Sequence, residues 1–152
     1  MDGTTGVKIT RKQIVEAARS MIGTPWVHQG RSESAGVDCL GLVIVLGYKL
    51  GYLEDFDYFV YHRQPDGITL LRELRKKLDE IKPEDIGLGD IVVIKFPGER
   101  LPQHVGIVVN GERERMIIHA LKTKNTSEVV EEPLARWIPR ITHAFKLRNI
   151  IE

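Results

Sequence analysis

Apolar residues recur with helical spacing at Ile14, Val15, Ala17, Ala18, Met21 and Ile22, just after Thr10 and Gln13, a pair that reads as a capping box. The spacing predicts a first helix over about 11–22, stopped by Gly23 and Pro25. Residues 24–38 hold Pro, Gly, Ser and Asp with no apolar period and read as a surface loop. The next run, Leu40 to Leu46 followed by Tyr48 and Leu50, contains the β-branched trio Val43, Ile44 and Val45 and on that ground fits a buried strand. Its end near Gly51, at the span of a short helix, favours helix instead. A third helix is expected from Thr69 as cap to about Ile81, with Leu71, Leu74, Leu78 and Ile81 on one stripe and Pro83 closing it.

Beyond Pro83 the pattern turns to short β-rich runs: Asp90–Phe96, His104–Val109, Met116–Ala120, Val129–Glu131 and His143–Leu147. The tract Phe96–Pro102 is a loop by its prolines and glycine. Helices first and a meander afterwards is the pattern of an α+β domain. At 152 residues one domain is expected, spanning 1–152, with residues 1–9 as a flexible lead-in.

Composition narrows the partners. Twenty-two basic and 21 acidic residues leave a net charge of +1, so no footprint for nucleic acid exists at the level of the chain. The cluster Arg72, Arg75, Lys76, Lys77 reads as the solvated face of a helix. A single cysteine excludes an internal disulfide and any four-cysteine zinc site. The polar segment Met1–Thr10 does not read as a secretory signal, and no run reaches the roughly 18 apolar residues of a membrane span. Synthesis in the cytoplasm without membrane insertion is therefore expected.

That cysteine, Cys39, stands where the polar loop gives way to the apolar helix. A helix N-terminus lowers a thiol pKa through its unpaired N–H groups and dipole, which makes Cys39 a candidate nucleophile. The alternative is a small buried hydrophobe. A nucleophilic thiol needs a base, and the chain offers His28, His62, His104, His119 and His143. His104 and His119 flank Asn110-Gly111. If Gly111 and Glu112 form a two-residue hairpin loop, His104 faces His119; if Asn110 and Gly111 form it, the two lie diagonal. Either even-length loop sends both rings out of one sheet face, and only an odd loop or a bulge separates them. A Cys-His-His zinc site, needing a fourth ligand such as Asp38 or His28 or an open position for water, uses the same residues but lacks any C-x-x-C or H-E-x-x-H spacing, so no metal is expected.

In order, Gly23-Thr24-Pro25-Trp26, Gly36-Val37-Asp38-Cys39-Leu40-Gly41-Leu42-Val43, Leu88-Gly89-Asp90-Ile91-Val92, His104-Val105-Gly106-Ile107-Val108 and Ile118-His119-Ala120 resemble the landmarks of the NlpC-type cysteine peptidases, papain-like bacterial cell-wall endopeptidases. The likeness runs from about residue 11 to 148. The tail Glu131–Leu147, with Trp137, Arg140-Ile141 and Ala144-Phe145, resembles the branch found in phage and gene-transfer-agent tails.

The resemblance implies a papain-like α+β fold, with the cysteine at a helix N-terminus packed on a mostly antiparallel sheet that carries the histidines. It implies Cys39 as nucleophile, His104 as general base and His119 as the residue orienting His104. Asp38 matches a position that helps hold the free amine of a stem-peptide L-alanine, and Trp26 and Leu40 also fall in the substrate-binding region. The implied substrate is the peptidoglycan stem peptide, cut between D-glutamate and a diamino acid. No cofactor is implied. The implied location is a virion tail, among other tail proteins, acting in the periplasm or cell wall.

Two departures bear on substrate choice: Trp26 replaces the usual tyrosine, and Leu40 replaces a serine common after the cysteine. A catalytically silent tail protein of the same fold, or an amidase or acyltransferase on another substrate, are the alternatives. His28 is expected to face solvent, His143 to be a polar strand neighbour, His62 to lie at the surface, Asp90 to be a turn residue, and Trp137 to pack a short helix onto the sheet.

Overall fold

The computed structural model describes residues 3–54 and 67–151; His62 and the aromatic run 56–61 lie outside the described residues. The lead-in carries a Thr5 N–H bond to Tyr52 O, and strand β1 (Ile9–Thr10) pairs in parallel with β10 (Ile150–Ile151), burying Ile9. Thr10 then caps α1 (Arg11–Arg19). Its hydroxyl accepts from Gln13 N at 3.0 Å, and the Gln13 side chain accepts from Thr10 N at 2.8 Å, which completes the expected capping box. The helix ends three residues earlier than its apolar spacing suggests. Met21 and Ile22 continue as tight turns bonded to Ala18 O and Arg19 O.

In the loop that follows, β2 (Arg31–Ser32) and β3 (Gly36–Val37) form a small hairpin leading into α2 (Cys39–Lys49). Eight of the eleven α2 residues are buried, so this helix is apolar almost all round, as an interior helix is. That burial explains why its β-branched trio resembled a strand.

Helix α3 (Gly67–Lys77) starts before Thr69 and stops before Ile81. Asp79–Ile81 is instead a strand, β4, paired antiparallel with Lys146, Phe145 and Ala144. The helix ends where its last carbonyls find outside donors. Tyr52 Oη donates to Lys77 O at 2.5 Å, and Arg148 Nη2 donates to Lys76 O at 3.0 Å.

The main sheet has the order β4-β9-β5-β6-β7-β8, with β5 (Ile91–Ile94), β6 (His104–Asn110), β7 (Arg115–Lys122), β8 (Ser127–Pro133) and β9 (Ile141–Lys146). All its neighbouring strands are antiparallel. All five expected β-rich runs are strands, with no end shifted by more than two residues.

One face, with Val105, Ile107, Val109, Ile118 and Phe145, packs against the helices around Ile14, Leu42 and Leu46. The other face, with Val92, Ile94, Val108 and Ile117, is covered by Leu134, which opens the 3-10 turn Leu134–Arg136, and by Trp137, which joins that turn to the next, Ile138–Arg140. Among the described residues, three helices lie on a mostly antiparallel sheet, the expected α+β arrangement. Among the described residues, no helix is long and apolar enough to cross a membrane.

Candidate active site

Cys39 is the first residue of α2 and is 6% exposed. Asp38 is the N-cap: its carboxylate accepts from Gly41 N at 2.9 Å and Gln29 N at 2.8 Å, and Arg31 Nη1 lies 3.3 Å away. Gly41 is required by close approach, since a Cβ there would fall 2.0 Å from Gly30 O. The loop is thereby pressed onto the first turn of α2.

The Cys39 thiol donates to the main-chain carbonyl of Gln103 at 3.7 Å, and the Val105 amide also bonds to the sulfur. The nucleophile candidate therefore contacts the backbone on both sides of His104. Burial pushes the thiol pKa up to about 12, and the neighbouring Asp38 charge adds to the rise; the amides of Val105, Leu40 and Cys39 oppose it. The expected lowering by the helix N-terminus is overturned, because desolvation of a thiolate here outweighs the aligned amides.

Hairpin parity brings the histidines together, though through a different loop. Asn110 pairs with Arg115, so the loop is the four residues 111–114, closed by Gly111 N to Glu114 O at 2.9 Å. Four is even, and both rings emerge on the face away from the helices. His104 Nε2 lies 2.8 Å from His119 Nδ1. Gly106 makes room between them, since a Cβ there would fall 2.5 Å from Ile117 Cδ1 and 3.2 Å from His119 Cβ.

Burial holds the His104 pKa well below its usual value, and the adjacent His119 lowers it further. His119, fully buried, is lowered chiefly by burial, against an upward pull from Glu132. At neutral pH the thiol and both imidazoles are thus neutral at rest.

Sequence reasoning missed Glu132. Its Oε1 lies 2.6 Å from His119 Nε2, Trp137 Nε1 donates to the same oxygen at 3.3 Å, and Arg136 Nη1 lies 2.8 Å from Oε2. The signal was available in principle. The same parity rule carried across the next hairpin puts Glu128, Val130 and Glu132 on the face of His119, because Val130 pairs with His119 and Glu132 with Ile117. Trp137 does more than pack the turns, since its ring meets His119 edge-on at 5.1 Å between centroids and lies 6.3 Å from His104. Phe96 closes the other flank of His104 at 5.0 Å.

Trp26 is half-buried. Its amide donates to Ser127 O, its ring stacks with the exposed His28 at 6.5 Å, and Lys122 Nζ sits 6.0 Å from the ring centre. Leu40 is buried and lines the apolar space between α2 and α3 with Leu74, Leu78 and Leu147. Asp90 accepts from Gly87 N at 2.7 Å, as a turn residue does, and is also fully buried against Arg11 Nη1 at 2.8 Å. His143 Nδ1 bonds Thr142 Oγ1 at 2.8 Å. Among the described residues, no three His, Cys, Asp or Glu side chains are grouped to hold a metal ion.

No family model matches the sequence, and no curated protein is significantly similar to it. Solved structures are. The NlpC/p60 domain of the peptidoglycan hydrolase SagA is 21% identical, with a TM-score of 0.64 over 91% of this chain and 100% of that one. This is the NlpC/p60 fold. A lipoprotein-like NLP/P60 family protein from Staphylococcus aureus shares it at 18% identity and TM-score 0.62, over 96% of this chain. An NlpC/p60 family protein from Bacillus cereus shares it at 16% identity and TM-score 0.66, over 95% of this chain. The chain spans 44% and 42% of those two longer proteins.

Proposed function

We propose that the protein is a cysteine peptidase that hydrolyses peptidoglycan stem peptides, with Cys39 as nucleophile, His104 as base and His119 orienting it. The observation that carries this reading is the Cys39 sulfur held on the main chain flanking His104, whose ring is bonded to His119. Because thiol and imidazole are both neutral at rest, His104 takes the thiol proton as sulfur attacks the amide carbonyl, rather than waiting beside a preformed thiolate. The Cys39 N–H faces the developing oxyanion, where one well-placed donor is worth roughly 3–4 kcal/mol. His104 passes its proton to the leaving amine. It then takes a proton from water, whose oxygen attacks the thioester, and returns that proton to the departing sulfur.

The bond between D-glutamate and the diamino acid is the proposed target, with Asp38 and Trp26 beside the stem peptide. Leu40, buried behind the cysteine, is proposed to act through packing in place of the serine found in many relatives. The likeness of Glu131–Leu147 to tail-associated peptidases supports delivery to the wall by a phage or phage-like tail.

Purified peptidoglycan and synthetic stem peptides incubated with wild type and Cys39→Ala, with fragments read by mass spectrometry, test the reading. Fragments ending in D-glutamate that need Cys39 are expected. No Cys39-dependent cleavage across wall chemotypes would overturn the peptidase. An acyl group trapped on Cys39 from a non-wall substrate alone would point to an amidase or acyltransferase. Absence of the chain from purified particles of a phage that encodes it would remove the tail assignment.

A further inference from the structure

The two imidazoles and Glu132 form one hydrogen-bonded line across β6, β7 and β8, and the chemistry of its last member dictates the direction of every bond in it. A carboxylate only accepts. His119 Nε2, 2.6 Å from Glu132 Oε1, therefore carries a proton, which leaves His119 Nδ1 as a bare lone pair. That lone pair is 2.8 Å from His104 Nε2, so His104 Nε2 carries the proton and donates it. His104 Nδ1 is then the nitrogen left bare. We infer that Glu132 is a positioning residue: its carboxylate fixes both histidines as Nε2–H tautomers and so leaves His104 Nδ1 as the atom that receives the Cys39 proton.

The carboxylate is itself held. Trp137 Nε1 donates to the oxygen that faces His119, and Arg136 Nη1 engages the other oxygen at 2.8 Å. The Trp137 ring lies against both imidazoles, which limits their swing. Glu132 is also the nearest negative charge in the line when His104 becomes an imidazolium. Both N–H dipoles already point from His104 toward it, so no group has to turn as the cation forms.

The use of this order in turnover rests on the peptidase reading, whereas the tautomers themselves do not. The first measurement is therefore on the unmodified chain: long-range ¹H–¹⁵N correlation spectra of the histidine side chains at neutral pH. Both His104 and His119 are expected as Nε2–H tautomers, and an Nδ1–H form of either would overturn the inference outright. Glu132→Gln keeps an acceptor oxygen and loses the charge, so it is expected to keep both tautomers. Glu132→Leu and Glu132→Ala remove the acceptor and are expected to give mixed tautomers.

In the same two variants, alkylation of Cys39 by iodoacetamide should slow and its pH profile should move to higher pH. On stem peptide, kcat should fall roughly 10- to 100-fold with KM little changed, a smaller loss than the roughly 10⁴-fold that follows a wrong tautomer next to the base itself. Tautomers and alkylation profiles unchanged in Glu132→Leu and Glu132→Ala would reduce Glu132 to a structural residue. Should wild type fail to cut any wall substrate, the spectra and the alkylation profile still decide this inference separately.

Discussion

At the scale of single residues the site depends on how tightly Cys39 is enclosed. Gly41 is the sharpest test of that enclosure, because a methyl there would overlap the Gly30 carbonyl. Gly41→Ala is expected to lose about 1–3 kcal/mol of stability and to displace either the loop or the first turn of α2. Chemical denaturation reads the stability, and alkylation of Cys39 reads the displacement. Enclosure also sets reactivity. With a thiol pKa near 12, alkylation in the free protein should be slow at neutral pH and rise about tenfold per pH unit well beyond the value typical of an open thiol. A rate that levels off near neutrality would show a thiolate already formed.

At the scale of elements, strongly patterned segments were legible and those decided by distant partners were not. The α1 capping box, the sheet meander and the shared face of His104 and His119 all follow from short-range spacing. The end of α3 does not. Leu78 and Ile81 continue its apolar stripe, yet Asp79–Ile81 leaves the helix to pair with β9 from the far end of the chain. Arg148 secures that exit by bonding Lys76 O and, through Nε, Asp79 Oδ1 at 3.1 Å. Arg148→Ala should cost about 1–2 kcal/mol and increase amide exchange over the last turn of α3 and β4, leaving the histidine face unchanged. Glu132 was hidden for a related reason. Only the β7–β8 register distinguishes it from Glu131 next to it, and that register depends on a turn with no glycine or proline signature.

At the scale of the whole molecule, a sheet with both faces covered buries ionisable groups, and pH then acts on the fold. His104 and His119 have folded-state pKa values below the roughly 6.5 of an unfolded chain, so below that pH the unfolded state binds more protons than the folded one. Their contribution is present above about pH 6.5 and is lost as the pH falls toward the folded values. The melting temperature should decline on acidification in that window, and His104→Gln with His119→Gln should flatten the slope. Cys39 works at the other end, its contribution present below about pH 8.5 and lost on rising toward 12. The same architecture bears on the order in which the site comes together. His104, His119 and Glu132 are separated by 15 and 13 residues along one meander, whereas the Cys39 contact to Gln103 spans 64. Closing the longer loop costs more entropy, so the histidine line is expected to form early and the cysteine to join it late. Until then the thiol is open to solvent with an ordinary pKa and is more easily alkylated or oxidised than in the finished fold. Pulsed alkylation during refolding should therefore label Cys39 strongly at first, with protection lagging behind the hairpin amides; simultaneous protection would contradict this order. The burial that quiets the native sulfur also makes folding the interval of its greatest chemical exposure.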